Sequence, residues 1–232
     1  MSSPPADFIA RLDTGARILR AAGVLDLLDA LYLFGSYSQA SARLNLCSSS
    51  FSITETNSPT WAAWVSGASP GGYTGGGTAY LDAGANPSTQ FTRATVNSAS
   101  YGAWISAELA NNGFALGDLA GTLLLVQPRS ATNAASARVN DLSGLAVGTA
   151  TSLGLTAGDR SGASARNLYR NGVSIGSDTQ AASAMPATMY VLRRSSTYYP
   201  GQVSAAFAGS SLTAAQHLAV YRGIAAMLGI SV

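Results

Sequence analysis

Few side chains in this sequence can do chemistry. Its 232 residues include one histidine, His217, and one cysteine, Cys47. A Ser-His-Asp arrangement would need His217 on a helix face meeting a serine and a carboxylate. No GxSxG nucleophile motif is present. His217 falls inside a helical pattern and reads as a helix-surface or boundary residue. One His and one Cys cannot supply the three or four ligands of a zinc site. Cys47 has no basic or histidine neighbour to activate its thiol, cannot form an internal disulfide, and reads as a small buried hydrophobe. Glycan cleavage needs two carboxyl groups about 5–10 Å apart across a sugar. The chain has only two glutamates, Glu55 and Glu108, 53 positions apart. The other acids outside the N-terminal helical region are Asp82, Asp118, Asp141, Asp159 and Asp178, with no ExxxE-type pair. Glu108 ends the strand-like Gly102-Ala-Trp-Ile-Ser-Ala107 and reads as a solvated edge residue. These residues predict a non-enzyme with no cofactor and no metal.

Binding asks for less. Sugars offer apolar C–H faces to aromatic rings and hydroxyl edges to Asn, Asp and Arg, so a site wants exposed aromatics beside convergent polar groups. Two places fit. Trp61-Ala-Ala-Trp64 adjoins the loop Ser66-Gly-Ala-Ser-Pro-Gly-Gly-Tyr73, and Tyr198-Tyr199 lies between Arg193-Arg194 and Pro200-Gly201. The candidate carbohydrate-binding residues are Trp61, Trp64, Tyr73, Arg193, Arg194, Tyr198 and Tyr199. The turn-rich setting of Tyr198-Tyr199 predicts exposed side chains. The competing readings are core for Trp61 or Trp64 and a subunit contact for the tyrosine pair. Trp104 alternates with Ala103 and Ile105 and reads as core; Arg129 and Arg138-Val-Asn-Asp141 read as a solvated rim.

The charge balance excludes other partners. The net charge is +2, from 13 basic residues that are all arginine. They are scattered rather than gathered in a patch, which argues against nucleic acid. The start, Met1-Ser-Ser-Pro-Pro5, has neither a basic nor an apolar leader segment, so export by the usual route is not expected. The most apolar run, Leu27 to Phe34, is interrupted by Asp29 and is too short to insert in a membrane.

Positioning falls to short strands between two helices. Phe8, Ile9, Leu12, Ala16 and Leu19 recur near the helical period after Pro4-Pro5, and Gly23 is a stop. Val24 to Asp29 reads as a second helical turn and Ala30 to Gly35 as a buried strand. Candidate strands follow at 42–46, 51–54, 78–82, 102–109, 122–127, 135–140, 165–170, 188–193 and 202–208. The glycine-rich stretches 67–77 and 142–162 read as loops. Asn171-Gly172 between two strand-like runs is a type I′ hairpin signal. Ser210-Ser211 or Thr213 caps a last helix, Ala214 to Leu228, closed by Gly229, with Leu218, Tyr221, Ala225 and Leu228 on its docking face. The fold class is all-β: a sandwich or jelly roll with an N-terminal and a C-terminal helix. The division is an N-terminal helical segment, 1–29, and a sandwich, 30–232, that includes the helix 212–228.

Four segments then carry a family likeness: Leu28-Asp-Ala-Leu-Tyr-Leu-Phe34; Ala42-Arg-Leu-Asn-Leu46 with Thr56-Asn-Ser-Pro-Thr60; Gly75-Gly-Gly-Thr-Ala-Tyr-Leu-Asp82 with Asn86-Pro-Ser; and Leu168-Tyr-Arg-Asn-Gly-Val-Ser-Ile-Gly176 with Ser211-Leu-Thr-Ala-Ala215. On these the chain resembles the concanavalin A-like, laminin-G-type jelly-roll domains of tailed phages, prophages and gene transfer agents. The resemblance implies a virion or phage-like particle surface protein, a head spike or tail fibre made in the bacterial cytoplasm. It implies host attachment through cell-surface polysaccharide, a homotrimer of sister subunits, and capsid or tail partners met through the N-terminal segment, with a helix folded onto its own sandwich as the other reading. Calcium-dependent members use acidic loop residues; Asp82 stands in the matched strand end, but no Asp/Asn cluster completes such a set. A purely structural decoration or connector protein is the alternative, and a glycan depolymerase a third.

Overall fold

The computed structural model describes residues 3–232. The helices are α1 (Ala6–Ala21), α2 (Gln39–Ala42), α3 (Pro87–Gln90) and α4 (Ala214–Leu228), with a 3-10 turn at Leu25–Leu27. The strands are β1 (Leu28–Leu33), β2 (Thr54–Thr56), β3 (Thr60–Ala62), β4 (Gly72–Thr74), β5 (Tyr80–Asp82), β6 (Ala99–Ile105), β7 (Leu116–Gly117), β8 (Leu124–Gln127), β9 (Ala134–Val139), β10 (Leu145–Gly148), β11 (Gly154–Arg160), β12 (Ala165–Arg170), β13 (Val173–Thr179), β14 (Tyr190–Val191), β15 (Arg193–Arg194), β16 (Thr197–Tyr198) and β17 (Gln202–Gly209). An eight-stranded sheet runs β13-β12-β11-β6-β17-β4-β3, with β1 also paired to β17. A seven-stranded sheet runs β10-β9-β8-β7-β14-β5-β2, and β15-β16 form a separate hairpin. The fold is a jelly-roll β-sandwich of antiparallel sheets with a helix at each end of the chain.

The alternation of side chains explains the layers. Ala30 and Tyr32 of β1, followed by Phe34, point between the sheets with Tyr101, Ala103, Ile105, Leu81, Leu116, Val126 and Val191. Leu31, Leu33, Trp104, Leu155 and Phe207 point the other way, under Leu19, Val220, Ile224 and Leu228 of the two helices. The eight-stranded sheet is thus covered on both faces. That is why β6 is buried along its whole length, the hydroxyl of its one serine, Ser100, donating to the Gly158 carbonyl. Trp104 is core, as its alternation implied, and stacks on Tyr221 at 5.4 Å between ring centroids.

The N-terminal helix lies on α4, where Gly15 meets Met227 and Gly223 in close backbone approach. Its buried face, Phe8 and Leu19, is therefore occupied within the chain. Thr213 and Gln216 form a reciprocal capping box at the start of α4, and Gly229 closes it at φ 72°. Asn171 and Gly172 adopt φ 49° and 78°, the left-handed pair that a type I′ turn needs.

Several sequence expectations are corrected. The stretch 142–162 is no loop: it contains β10 and β11, and β11 pairs with both β6 and β12. Its glycines misled because Gly158 answers to space rather than to a turn. A Cβ there would lie 2.6 Å from the Ala137 Cβ of the facing sheet. The stretch 67–77 contains β4. Residues 42–46 form no strand beyond one Tyr32–Asn45 bridge. Instead the Asn45 side chain does a strand's work, accepting from the Leu31 amide at 3.0 Å and donating to the Asp29 carbonyl at 3.0 Å.

His217 is not a surface residue. It is fully buried, stacked on Tyr169 at 3.7 Å, with Nε2 3.2 Å from Asp159 Oδ1. Asp159 also accepts from the Ser211 hydroxyl and the Leu212 amide, both at 2.8 Å, and so ties the start of α4 to β11. The rim expected around Arg138 to Asp141 is also partly interior. Asp141 is fully buried, and its two oxygens take Arg160 and Arg166 at 2.7 Å each. Arg160 further donates to the Val139 and Gln180 carbonyls, and Arg166 reaches Asp178. Two guanidinium groups and two carboxylates balance, which is the condition for burying ions.

Candidate functional site

Among the described residues, the outer face of the seven-stranded sheet carries the one grouping in which a sequence-predicted arginine and tyrosine meet further aromatics. Leu81 of β5 and Val191 of β14 point into the core, so strand alternation turns Tyr80, Asp82 and Tyr190 outward. Beyond Val191 the chain leaves the sheet at Leu192, whose side chain is buried while its backbone sits at φ 68°. A left-handed leucine costs about 1–2 kcal/mol. Here it allows β15 and β16 to fold back as a hairpin with Arg193 opposite Tyr198. Gly117 of β7 makes the seat: an added Cβ would lie 2.7 Å from the Arg193 carbonyl oxygen.

Three tyrosines surround one guanidinium. The Arg193 Cζ lies 4.4 Å from the Tyr80 ring centroid, 4.9 Å from Tyr190 and 5.6 Å from Tyr198. Tyr80 and Tyr190 meet edge to face at 5.2 Å, and the Tyr80 and Tyr198 rings lie tilted 47° to each other at 6.3 Å. Each such cation–π contact contributes about 0.5–1 kcal/mol at a partly exposed site. The Arg193 Nε donates to the Ser195 carbonyl at 2.7 Å. Tyr80, Arg193, Tyr198 and Asp82 are half-buried, so one side of the cluster meets solvent, while Tyr190 is 7% exposed and lies covered beneath them. Burial pushes the Tyr190 hydroxyl pKa up, helped by the charge of Asp82 and by Tyr80 and opposed by Arg193. The cluster therefore offers aromatic rings, phenol hydroxyls, a carboxylate and a fixed guanidinium on one surface.

The remaining predicted residues do not join it. Tyr199 is fully buried, because β16 turns it inward where Tyr198 turns outward. Tyr73 is fully buried too, edge to face with Phe34 and donating its hydroxyl to Glu55. Trp64 is 7% exposed, donates Nε1 to the Leu228 carbonyl at 3.1 Å and packs on Phe8 in the helix layer. Trp61 is half-buried on β3, and its Nε1 donates to the Phe34 carbonyl at 3.1 Å. Arg194 turns away from Arg193, lies 4.7 Å from the Phe114 ring and donates to the Gly121 carbonyl. Burial takes Trp64, Tyr73 and Tyr199 out of reach of a sugar, and for Trp64 it is the core reading that holds. Tyr80, Asp82 and Tyr190 were missed, although Tyr80-Leu-Asp82 already showed the alternation that sends the outer two to one face.

The two glutamates are committed elsewhere. Glu55 is held by Tyr73, by Gln39 at 2.9 Å and by Arg43 at 2.7 Å. For Glu108, burial acts to raise the pKa, but Thr151, the Ser152 amide and Arg129 outweigh it and hold the carboxyl at about 2. Glu108 is thus ionised at neutral pH, the opposite of a glycosidase acid. Among the described residues no three His, Cys, Asp or Glu side chains gather as metal ligands, and no helix is long and apolar enough to cross a membrane.

No protein-family profile matches the chain, and no curated protein does. Solved structures do resemble it in fold. Domain 4 of AbnA, a GH43 extracellular arabinanase from Geobacillus stearothermophilus solved in complex with arabinotriose, aligns with TM-score 0.62 at 14% identity, over 84% of this chain and 98% of that domain. Botulinum neurotoxin type C, which interacts with two ganglioside molecules, aligns with TM-score 0.62 at 9% identity, over 88% of this chain and 53% of that one. The binding domain of botulinum neurotoxin DC, in complex with rat synaptotagmin II, aligns with TM-score 0.60 at 8% identity, over 86% and 52%. The chain spans about half the length of the neurotoxin chains.

Proposed function

We propose that this jelly roll is a non-catalytic carbohydrate-binding domain whose sugar lies on Tyr80 and Tyr198 beside Arg193, with the buried Tyr190 supporting them from below. The observation that carries the reading is the cage itself: a guanidinium within 5.6 Å of three tyrosine rings, of which Tyr80 and Tyr198 are half-exposed. Rings stack on sugar C–H faces, and Asp82 and the phenol hydroxyls can pair with sugar hydroxyls. The arabinotriose-bound and ganglioside-interacting proteins of the same fold are consistent with it. The test is a glycan array followed by calorimetry with the wild type and Tyr198→Ala. Binding that falls about tenfold or more in the variant, at unchanged thermal stability, supports the site. A wild type that binds no glycan refutes it.

The finer reading places this domain on the surface of a phage or gene-transfer-agent particle, attaching it to host polysaccharide as a trimeric spike or fibre. Its support is the likeness of the four sequence segments. A particle preparation probed with antibody to this chain tests it: particles that lack the chain, or adsorb equally well without it, refute it. A structural connector role is the competing reading, under which Tyr198→Ala disturbs assembly rather than adsorption.

A further inference from the structure

We infer that the sugar recognised at this face carries a carboxylate, as a uronic or sialic acid does, and that Arg193 reads it. The inference rests on the carbohydrate reading above. Arg193 forms no ion pair within 4.0 Å among the described residues, and its single hydrogen bond is from Nε to the Ser195 carbonyl. Both terminal amino groups are left without a partner among the described residues. The guanidinium is nevertheless fixed in place, by Nε at one end and by three ring faces around it. Most buried arginines here are used differently. Arg160 and Arg166 spend their donors on Asp141, Asp178 and carbonyl oxygens. Arg170 gives its terminal donors to the Pro128, Thr151 and Leu153 carbonyls and to Thr156.

A planar fork whose two terminal amino groups are both free leaves its end-on edge to match a carboxylate in bidentate geometry. Pre-organisation matters because an arginine side chain otherwise loses up to about 2 kcal/mol of rotamer freedom on binding. The charged surroundings allow an anion. Arg194 and Arg138 face the neighbouring Gly121 carbonyl from the same sheet side, and neither forms an ion pair. Asp118 is 1% exposed and engaged with the Thr122 and Leu124 amides. Asp82 is the one half-exposed acid beside Tyr190, and its Oδ1 accepts from the Gly84 amide at 2.8 Å. It suits a hydroxyl donor of the sugar, while the carboxylate goes to Arg193.

The test is calorimetry of the full chain against oligogalacturonate, alginate, hyaluronan and oligosialic acid, each beside its carboxyl-reduced form, with arabinotriose as a neutral sugar and dextran sulfate as an unrelated polyanion. The expected result is binding of at least one acidic glycan that weakens about ten- to a hundredfold on carboxyl reduction. Arg193→Gln should then bind acidic and reduced forms alike, and Arg193→Lys should recover only part of the difference. The reduced ligands need no mutation, so the comparison stands even if a variant is unstable. Equal binding of acidic and neutral forms overturns the inference and leaves carbohydrate binding intact. Equal binding of dextran sulfate, or an acid preference that survives Arg193→Gln, overturns the assignment to a carboxylate on Arg193. Failure of every glycan overturns both readings.

Discussion

Tyr198 and Tyr199 are adjacent in sequence and should respond oppositely to mutation. Tyr199 is fully buried and its hydroxyl has no hydrogen-bond partner among the described residues, while burial raises its pKa well above that of a free tyrosine. A buried hydroxyl without a partner costs roughly 1–3 kcal/mol. Tyr199→Phe removes that cost and keeps the ring, so it should stabilise the domain by about 1 kcal/mol. For a chain of this size that raises Tm by about 2–4 °C. Tyr199→Ala removes the ring from between the sheets and should cost about 3–5 kcal/mol. Tyr198 is half-buried over Tyr80 and Arg193 on the outer face. Tyr198→Ala should change stability by less than about 1 kcal/mol, as partly exposed substitutions usually do, yet remove a ring from the binding surface. Urea unfolding and thermal melts of the three variants, with glycan titration of each, separate the two roles. A Tyr199→Phe protein destabilised by 1 kcal/mol or more would refute the unpartnered hydroxyl. A Tyr198→Ala protein as unstable as Tyr199→Ala would place Tyr198 in the core and remove it from the site.

Other substitutions probe the scaffold. Asp141→Ala leaves Arg160 and Arg166 buried with one carboxylate between them and should destabilise by about 3–5 kcal/mol, read by urea unfolding. Gly158→Ala forces a methyl group toward Ala137 and Val139 and should cost about 1–3 kcal/mol by the same assay. Glu108 gives a pH signature. Its folded pKa, about 2, lies below its unfolded value, so its contribution is present above the ordinary glutamate range and is lost as pH falls toward 2. Glu108→Gln should therefore flatten the stability-against-pH profile of the wild type between about pH 4.5 and 2.

Much of the fold is legible in the sequence where local chemistry decides structure. Asn171-Gly172 selects its turn, Thr213 with Gln216 starts α4, and the 3.6 period from Phe8 gives α1. The sequence misleads where the partner is distant. Gly158 resembles a turn glycine until the facing Ala137 is known, and β11 is lost with it. The apolar alternation of Ala42, Leu44 and Leu46 resembles a strand, but the Asn45 amide replaces one. His217 cannot be recognised as buried without Tyr169 and Asp159 around it. The site divides in the same way. Arg193 and Tyr198 stand in one short hairpin and can be read together. Tyr80 and Tyr190 come from strands 110 positions apart that only sheet pairing joins. Leu192, which turns the hairpin over that face, has a positive φ that no glycine or asparagine announces.

The most direct test of carbohydrate recognition at this face is a crystal structure of the chain with a glycan found to bind it. A sugar ring stacked on Tyr198 or Tyr80, with a polar edge at Arg193, is the predicted result. A glycan bound on the helix-covered side, or at Trp61 with the Arg193 cage empty, would contradict it.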